Sequence, residues 1–296
     1  FSEAVQNFDN TDVTVENGTL GTLVSADGGR TWTGTYTPNA NIEDLNNVVT
    51  LAASYTDLIG NTGATGSSGN YAIDTKSASA SVTLEANDGS PITSLTAGQS
   101  ANVTISFPEA VKDFSNADVS APNGTLSTLS SADGGLTWTG TFIANLGLEA
   151  PVNSIIVNAG AYSDLSGNPG GTASSDNYAI DTQGPTSTIT LSDTNLLAGE
   201  TSVVTITFSE KVIGFDNSDV TVQNGTLSTL ATTDGGKTWI GTFTPNDVQD
   251  TSNIVSITNA YTDLLGNQGN SAVSSNYAID RLSPTAIITI SDDALK

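Results

Sequence analysis

The chain has no cysteine, no histidine and no methionine among its 296 residues, and only 7 lysines and arginines against 31 aspartates and glutamates. Each shortage closes off a chemistry. Without cysteine there is no disulfide, no thiolate nucleophile and no metal site built on sulfur. Without histidine there is no imidazole base and no Ser-His-Asp triad. Seven basic residues scattered along a chain of formal charge −24 cannot neutralise a run of phosphates, so nucleic acid is not an expected partner. No apolar run approaches the roughly 20 residues of a membrane span, and no signal peptide opens the chain at Phe1-Ser2-Glu3. What remains is carboxylate chemistry: cation binding through oxygen ligands, or a glycosidase-type acid pair. A solvated, self-repelling surface is the plain alternative to both.

The dominant feature of the sequence is repetition. Phe1-Ser-Glu-Ala-Val-Gln-Asn-Phe8 returns as Phe107-Pro-Glu-Ala-Val-Lys-Asp-Phe114 and as Phe208-Ser-Glu-Lys-Val-Ile-Gly-Phe215. Asn-Gly-Thr-Leu follows at Asn17, Asn123 and Asn224, then Asp-Gly-Gly-x-Thr-Trp ending at Trp32, Trp138 and Trp239. Tyr-x-Asp-Leu-x-Gly-Asn begins at Tyr55 and Tyr162 and, in the same spacing, at Tyr261; Asn-Tyr-Ala-Ile-Asp closes each unit at Asp74, Asp181 and Asp280. A period near one hundred residues means tandem whole domains rather than a solenoid of short repeats.

Within a unit the pattern is β throughout. Val203-Val-Thr-Ile-Thr-Phe208 and Ile254-Val-Ser-Ile-Thr258 alternate with period two, turn signals recur about every ten residues, and no segment shows a helical period. In the third unit this predicts strands A at 186–191, B at 201–208, C at 219–223, D at 226–231, E at 237–244, F at 253–261 and G at 276–280. Seven short strands in about 100 residues predict an all-β fold, tandem immunoglobulin-like seven-strand β-sandwiches in a linear array. The expected divisions are 1–75, a partial domain lacking strand A and most of B; 76–181 and 182–280, complete domains; and 281–296, the first strand of a further domain. The chain thus reads as a window on a longer array, with strand exchange between copies as the functional alternative.

This topology gathers carboxylates. The end at which the chain enters a sandwich also carries the BC, DE and FG loops. In the third unit it should hold Glu210, Asp263 and Asn267, with Asp181 from the linker; in the second, Glu109, Asp164, Asn168 and linker Asp74. The first unit keeps Glu3, Asp57 and Asn61 without a preceding linker, and Asp280 stands at the linker position before the tail. Ca²⁺ takes six to eight oxygens at about 2.3–2.6 Å, which such a set could begin to supply. The alternative is that Asp-x-x-Gly-Asn is a turn in which Asp and Asn satisfy their own backbone. Asp27, Asp133 and Asp234, in Asp-Gly-Gly, read first as turn formers, and the tryptophans as core. Asn-Gly-Thr matches the glycosylation pattern but reads as the turn between C and D.

Taken together, these motifs resemble the bacterial Ig-like repeats of giant, secreted, calcium-dependent adhesins of the RTX, biofilm type. The resemblance covers the whole chain. It implies export, commonly by a type I route, a location at the bacterial surface, and calcium at domain junctions. The second unit departs from the pattern, since its linker Thr75-Lys76-Ser-Ala-Ser lacks the Pro found at 185 and 284. The expected function is a non-enzymatic extender that projects an adhesive domain for attachment and biofilm formation, each domain adding on the order of 40 Å. Its expected partners are calcium and neighbouring Ig-like domains. Two alternatives stand beside it: a glycan- or protein-binding module, and a subunit of a filament assembled by strand exchange. A glycosidase would need a cleft with two acids about 5–9.5 Å apart, which a repeated sandwich does not offer.

Overall fold

The structure, a computed structural model, describes residues 1–291. Its contacts form two compact units: residues 1–91 with 101–142 and 154–176, and residues 92–100 with 143–153 and the chain from Asn177 onward. The third repeat lies wholly in the second unit and shows the architecture in full.

Its largest sheet has four antiparallel strands in the order Ser187–Leu191, Ser202–Phe208, Thr238–Pro245, Gly225–Leu227. Strand Ser202–Phe208 alternates in burial because its Val204, Ile206 and Phe208 face inward while threonines and Val203 face out. Opposite it lie two three-stranded sheets. One is Val220–Val222, Val255–Ile257, Ala272–Val273; the other is Asn195–Leu196, Tyr277–Ile279, Asp250–Asn253. Val204, Ile206, Phe243, Val255, Tyr277 and Ile279 are at the centre of the core between them.

The seven expected strands all have counterparts, and D and F are the most shortened, to Gly225–Leu227 and Val255–Ile257. Strand A continues as Asn195–Leu196, which crosses to the other sheet and runs parallel to Tyr277–Ile279. The expected F strand begins only at Val255. Buried Asn253 belongs instead to Asp250–Asn253, whose register against Tyr277–Ile279 shifts at a bulge. Thr262–Asp263, just beyond the expected F, pairs with Val212–Ile213, a two-residue ladder that fastens the loop after B to the loop after F.

Local chemistry explains the recurring motifs. Asn224 holds φ at 53°, and its Nδ2 donates to Asp250 Oδ2 and Asn253 Oδ1 at 2.8 and 2.7 Å. A Cβ on the following Gly225 would lie 2.3 Å from the Phe243 ring. Asn-Gly is therefore the turn between the third and fourth expected strands. In Asp-Gly-Gly, Asp234 Oδ1 accepts from the backbone N–H of Lys237 and Thr238 and from the Thr232 hydroxyl. Those donors, the Thr238 N–H first, hold its pKa down at about 2. Gly236, at φ 101°, packs against the Val212 carbonyl, where a Cβ would come within 2.7 Å. Trp239 packs edge-on against Phe215 at 5.4 Å, and its Nε1 donates to Gly236 O.

The second repeat repeats the four-strand order with Ser81–Glu85, Ser100–Ser106, Thr137–Ala144 and Gly124–Leu126. In the first repeat the equivalent sheet has only Gly18–Leu20 and Tyr36–Pro38. Its buried core is correspondingly small, built on Val5, Phe8 and Tyr55. An open groove of about 490 Å³ runs over Phe1, Phe8, Trp32, Val49 and Leu51. The expected strand over 284–290 is not formed: residues 281–291 enter no ladder, and Ile287 and Ile288 are 90% exposed. Positions 292–296 of the expected fourth domain lie outside the described residues.

Candidate functional site

The linker aspartate, the glutamate after the second strand and the aspartate before the Gly-Asn turn converge in both complete repeats. In the third, Asp181 ends strand Tyr178–Asp181, Glu210 follows Ser202–Phe208, and Asp263 sits in Thr262–Asp263 opposite Val212. Each offers a carboxylate oxygen, and the three lie within 4.8 Å of one another. Asp74, Glu109 and Asp164 form the same trio in the second repeat. Among the described residues these are the groups of acids close enough to share a cation.

The aspartate at the base of each trio is fixed by its own loop. Asp263 Oδ1 accepts from the N–H groups of Leu265 and Asn267 at 2.8 and 2.9 Å, while Asn267 Nδ2 holds Oδ2 at 2.8 Å. Asp164 accepts in the same way from Gly167 and Asn168, and from Asn168 Nδ2. The turn reading and the cation reading of Asp-x-x-Gly-Asn are therefore compatible. The turn fixes the carboxylate that the trio uses.

Asn267 has a second task. Its Nδ2 also donates to Asp181 O and Oδ1 at 3.0 and 3.2 Å, and its Oδ1 accepts from the Ala97 N–H at 3.1 Å. It thus turns its nitrogen, not its oxygen, toward the acids and braces the linker carboxylate. Asn168 does the same for Asp74, donating to its O and Oδ1 at 3.2 Å.

The electrostatics match a crowded anionic site. Burial pushes the Glu210 carboxyl above the usual range, and the charges of Asp263, Asp181 and Glu149 add to this against a weaker pull from Lys237. Asp181 is raised first by burial, then by Asp263 and Glu149, despite a backbone N–H from Gln183. Glu109 is raised by burial and by Asp164, Asp74 and Glu43. Asp164 stays low: burial pushes it up, but the Asn168 side chain and the loop N–H groups more than reverse that.

Glu43 and Glu149 were not singled out by the sequence. Each stands directly across an antiparallel ladder from a linker aspartate, Glu43 from Asp74 and Glu149 from Asp181. The strands carrying them break the simple alternation at a bulge, which hid the register. Glu43 also pairs with Lys76 at 3.0 Å.

The remaining expected residues do not assemble. In the first repeat Asp57 and Asn61 keep the loop brace, with Asn61 Nδ2 on Asp57 Oδ2 at 2.7 Å. Glu3 is exposed and joins no trio with them. Asp280 accepts from the Leu282 N–H two residues on, and no acid is gathered beside it among the described residues.

A family model described as the bacterial Ig-like domain matches residues 1–73, 74–180 and 181–279. No curated protein matches the chain. Among solved structures it is similar to a tandem from titin, at 8% identity over 95% of this chain and 94% of that one, with a TM-score of 0.26. It is similar to the N-terminal part of the bacterial S-layer protein SbsC, at 15% identity over 68% of this chain and 44% of that one, with a TM-score of 0.20. Murine CEACAM1b is 13% identical over 68% of this chain and all of that one, with a TM-score of 0.24. Superpositions this loose carry no argument.

Proposed function

The chain belongs to the bacterial Ig-like domain family, with three members in tandem, and on that premise we propose that it is a non-enzymatic extender of a bacterial surface protein, stiffened by calcium at the heads of its second and third repeats. The observation that carries this reading is the composition of each acid trio. Asp181 closes the last strand of one repeat, whereas Glu210 and Asp263 belong to the next. A cation held by all three joins consecutive repeats through the linker.

The donor set suits a hard divalent ion. Three carboxylates supply three to six oxygens, depending on how many bind in bidentate fashion, and water or backbone completes the six to eight that Ca²⁺ takes. Without a cation the three charges repel one another within 4.8 Å. Binding free energy would therefore appear as order in the linker. The tryptophans give a glycan platform no support. Trp32 and Trp239 pack edge-on against Phe8 and Phe215, and their indole N–H groups are bonded within the same repeat.

Isothermal titration of the whole chain with calcium, paired with melting curves in calcium and in chelator, tests the proposal. Two sites are expected, both lost in a Glu109→Gln, Glu210→Gln double variant. Indistinguishable curves with and without calcium would overturn it. Among the described residues no helix is long and apolar enough to cross a membrane, and an export and surface location is part of the proposal.

A further inference from the structure

Asn-Gly steps occur in this chain at Asn17, Asn123 and Asn224, in the same turn of each repeat and each followed by threonine. The turn needs both residues. The asparagines hold φ at 54°, 64° and 53°, a left-handed backbone that asparagine tolerates. Glycine follows because a Cβ on Gly18 would lie 2.4 Å from the Tyr36 side chain, and one on Gly225 2.3 Å from the Phe243 ring. The same pair is chemically fragile. With no Cβ to shield it, the glycine nitrogen has open access to the carbon of the asparagine side-chain amide.

In the first and third repeats that amide is clamped. Asn17 Nδ2 donates to Asp44 Oδ2 and Asn47 Oδ1 at 2.9 and 2.7 Å, and Asn224 Nδ2 donates to Asp250 Oδ2 and Asn253 Oδ1 at 2.8 and 2.7 Å. The aspartates are themselves fixed, since Asp44 Oδ1 accepts from the Asn46 N–H at 2.9 Å and Asp250 Oδ1 from the Ser252 N–H at 3.0 Å. The clamp opposes attack in two ways. It keeps the amide from turning its carbon toward the glycine nitrogen. It also places a carboxylate charge beside the centre on which the attack develops negative charge.

The second repeat departs from this arrangement. Asp44 stands opposite Ile73 in its ladder and Asp250 opposite Ile279, but the residue opposite Ile180 is Ala150. Asn153 keeps the place of Asn47 and Asn253, while the place of the aspartate offers Asn123 no carboxylate. Asn123 is also exposed, whereas Asn17 and Asn224 are half-buried.

We propose that Asn123-Gly124 is a site of spontaneous covalent modification, deamidation through a cyclic imide, and that Asp44 and Asp250 suppress the same reaction at Asn17 and Asn224. The Gly124 nitrogen gives up its proton and bonds Asn123 Cγ. The Cγ–Nδ2 bond breaks, and Nδ2 takes up a proton and leaves as ammonia. Water then opens the imide at either carbonyl, giving aspartate or isoaspartate. The net change is water gained and ammonia lost, with no change of oxidation state. The product adds a negative charge to the turn between Val119–Ser120 and Gly124–Leu126, and the isoaspartate form also lengthens its backbone.

Incubation of the whole chain in mildly alkaline, heavy-oxygen water, followed by peptide mapping by mass spectrometry, tests this, because opening of the imide writes the label into the product. The rate at each site is read as a ratio of folded to denatured chain, which removes any difference in intrinsic reactivity. That ratio should be at least about tenfold higher at Asn123 than at Asn224, the effect expected of a hydrogen bond to a charged group. Ala150→Asp, which installs the residue of the other two repeats, should bring the Asn123 ratio down to that of Asn224. Asp250→Ala should raise the Asn224 ratio toward that of Asn123. Equal ratios at Asn123 and Asn224 in the wild type, or an Asn123 ratio untouched by Ala150→Asp, would overturn the proposal.

Discussion

Replacing Glu210 with glutamine should change stability in opposite directions with and without calcium. In chelator, Glu210 faces Asp181 and Asp263 within 4.8 Å. At an effective dielectric of about 20, a pair of unit charges at that separation repels by ~3 kcal/mol. Glu210 is only partly buried, so solvent and counter-ions reduce the gain from removing its charge to roughly 1 kcal/mol. For a domain of this size, that predicts a third-repeat transition about 4–8 °C higher for Glu210→Gln in chelator. With calcium at about a hundred times its dissociation constant, the wild-type site gains about 2.7 kcal/mol from binding. The variant loses most of that gain and melts below the wild type. Scanning calorimetry in both buffers reads the crossing. If Glu210→Gln lowers the transition in chelator, or melts level with the wild type in calcium, the reasoning fails.

Asn267→Ala leaves the linker unbraced and strips donors from two carboxylates; a loss of about 1–3 kcal/mol is expected in denaturant titration. Gly225→Ala forces a Cβ into the Phe243 ring, where it would lie 2.3 Å from the nearest ring atom, and should cost roughly 1–3 kcal/mol by the same measurement. In chelator, lowering the pH from neutral toward 5 should raise stability. Glu109, Asp181 and Glu210 have raised pKa values in the folded chain, so the fold takes up protons more readily than the unfolded state over that window. Asp234, held at about 2, keeps its contribution until the pH falls below its unfolded value, and so does not oppose the trend. With calcium the sign reverses, because protons compete with the ion; melting curves at several pH values in both buffers check this.

Much of this arrangement could be read from the sequence because it was written three times. Repetition alone places Glu210 and Asp263 at the positions of Glu109 and Asp164, and period-two alternation marks Ser202–Phe208 as a core strand. The structure added features that alternation cannot signal. Asn195–Leu196 changes sheets after a short break, and two residues are too few to carry a pattern. Glu149 meets Asp181 across a bulged ladder, where register is set by hydrogen bonding rather than by apolar spacing. Asn267 was legible as a site residue but not as a brace, since only its contacts with Ala97 and Asp181 show which of its amide atoms faces the acids.

The crossing of the first strand in the third repeat has a mechanical consequence. Asn195–Leu196 lies near the start of that repeat and Tyr277–Ile279 at its end, and the two run parallel in one ladder. Tension applied to the linkers at either end pulls these strands past each other, so their hydrogen bonds bear the load together rather than opening one at a time. Such a module should yield abruptly at a high force, with a short distance to its rupture point. A hairpin pulled open from one end gives way at a lower force and over a longer extension.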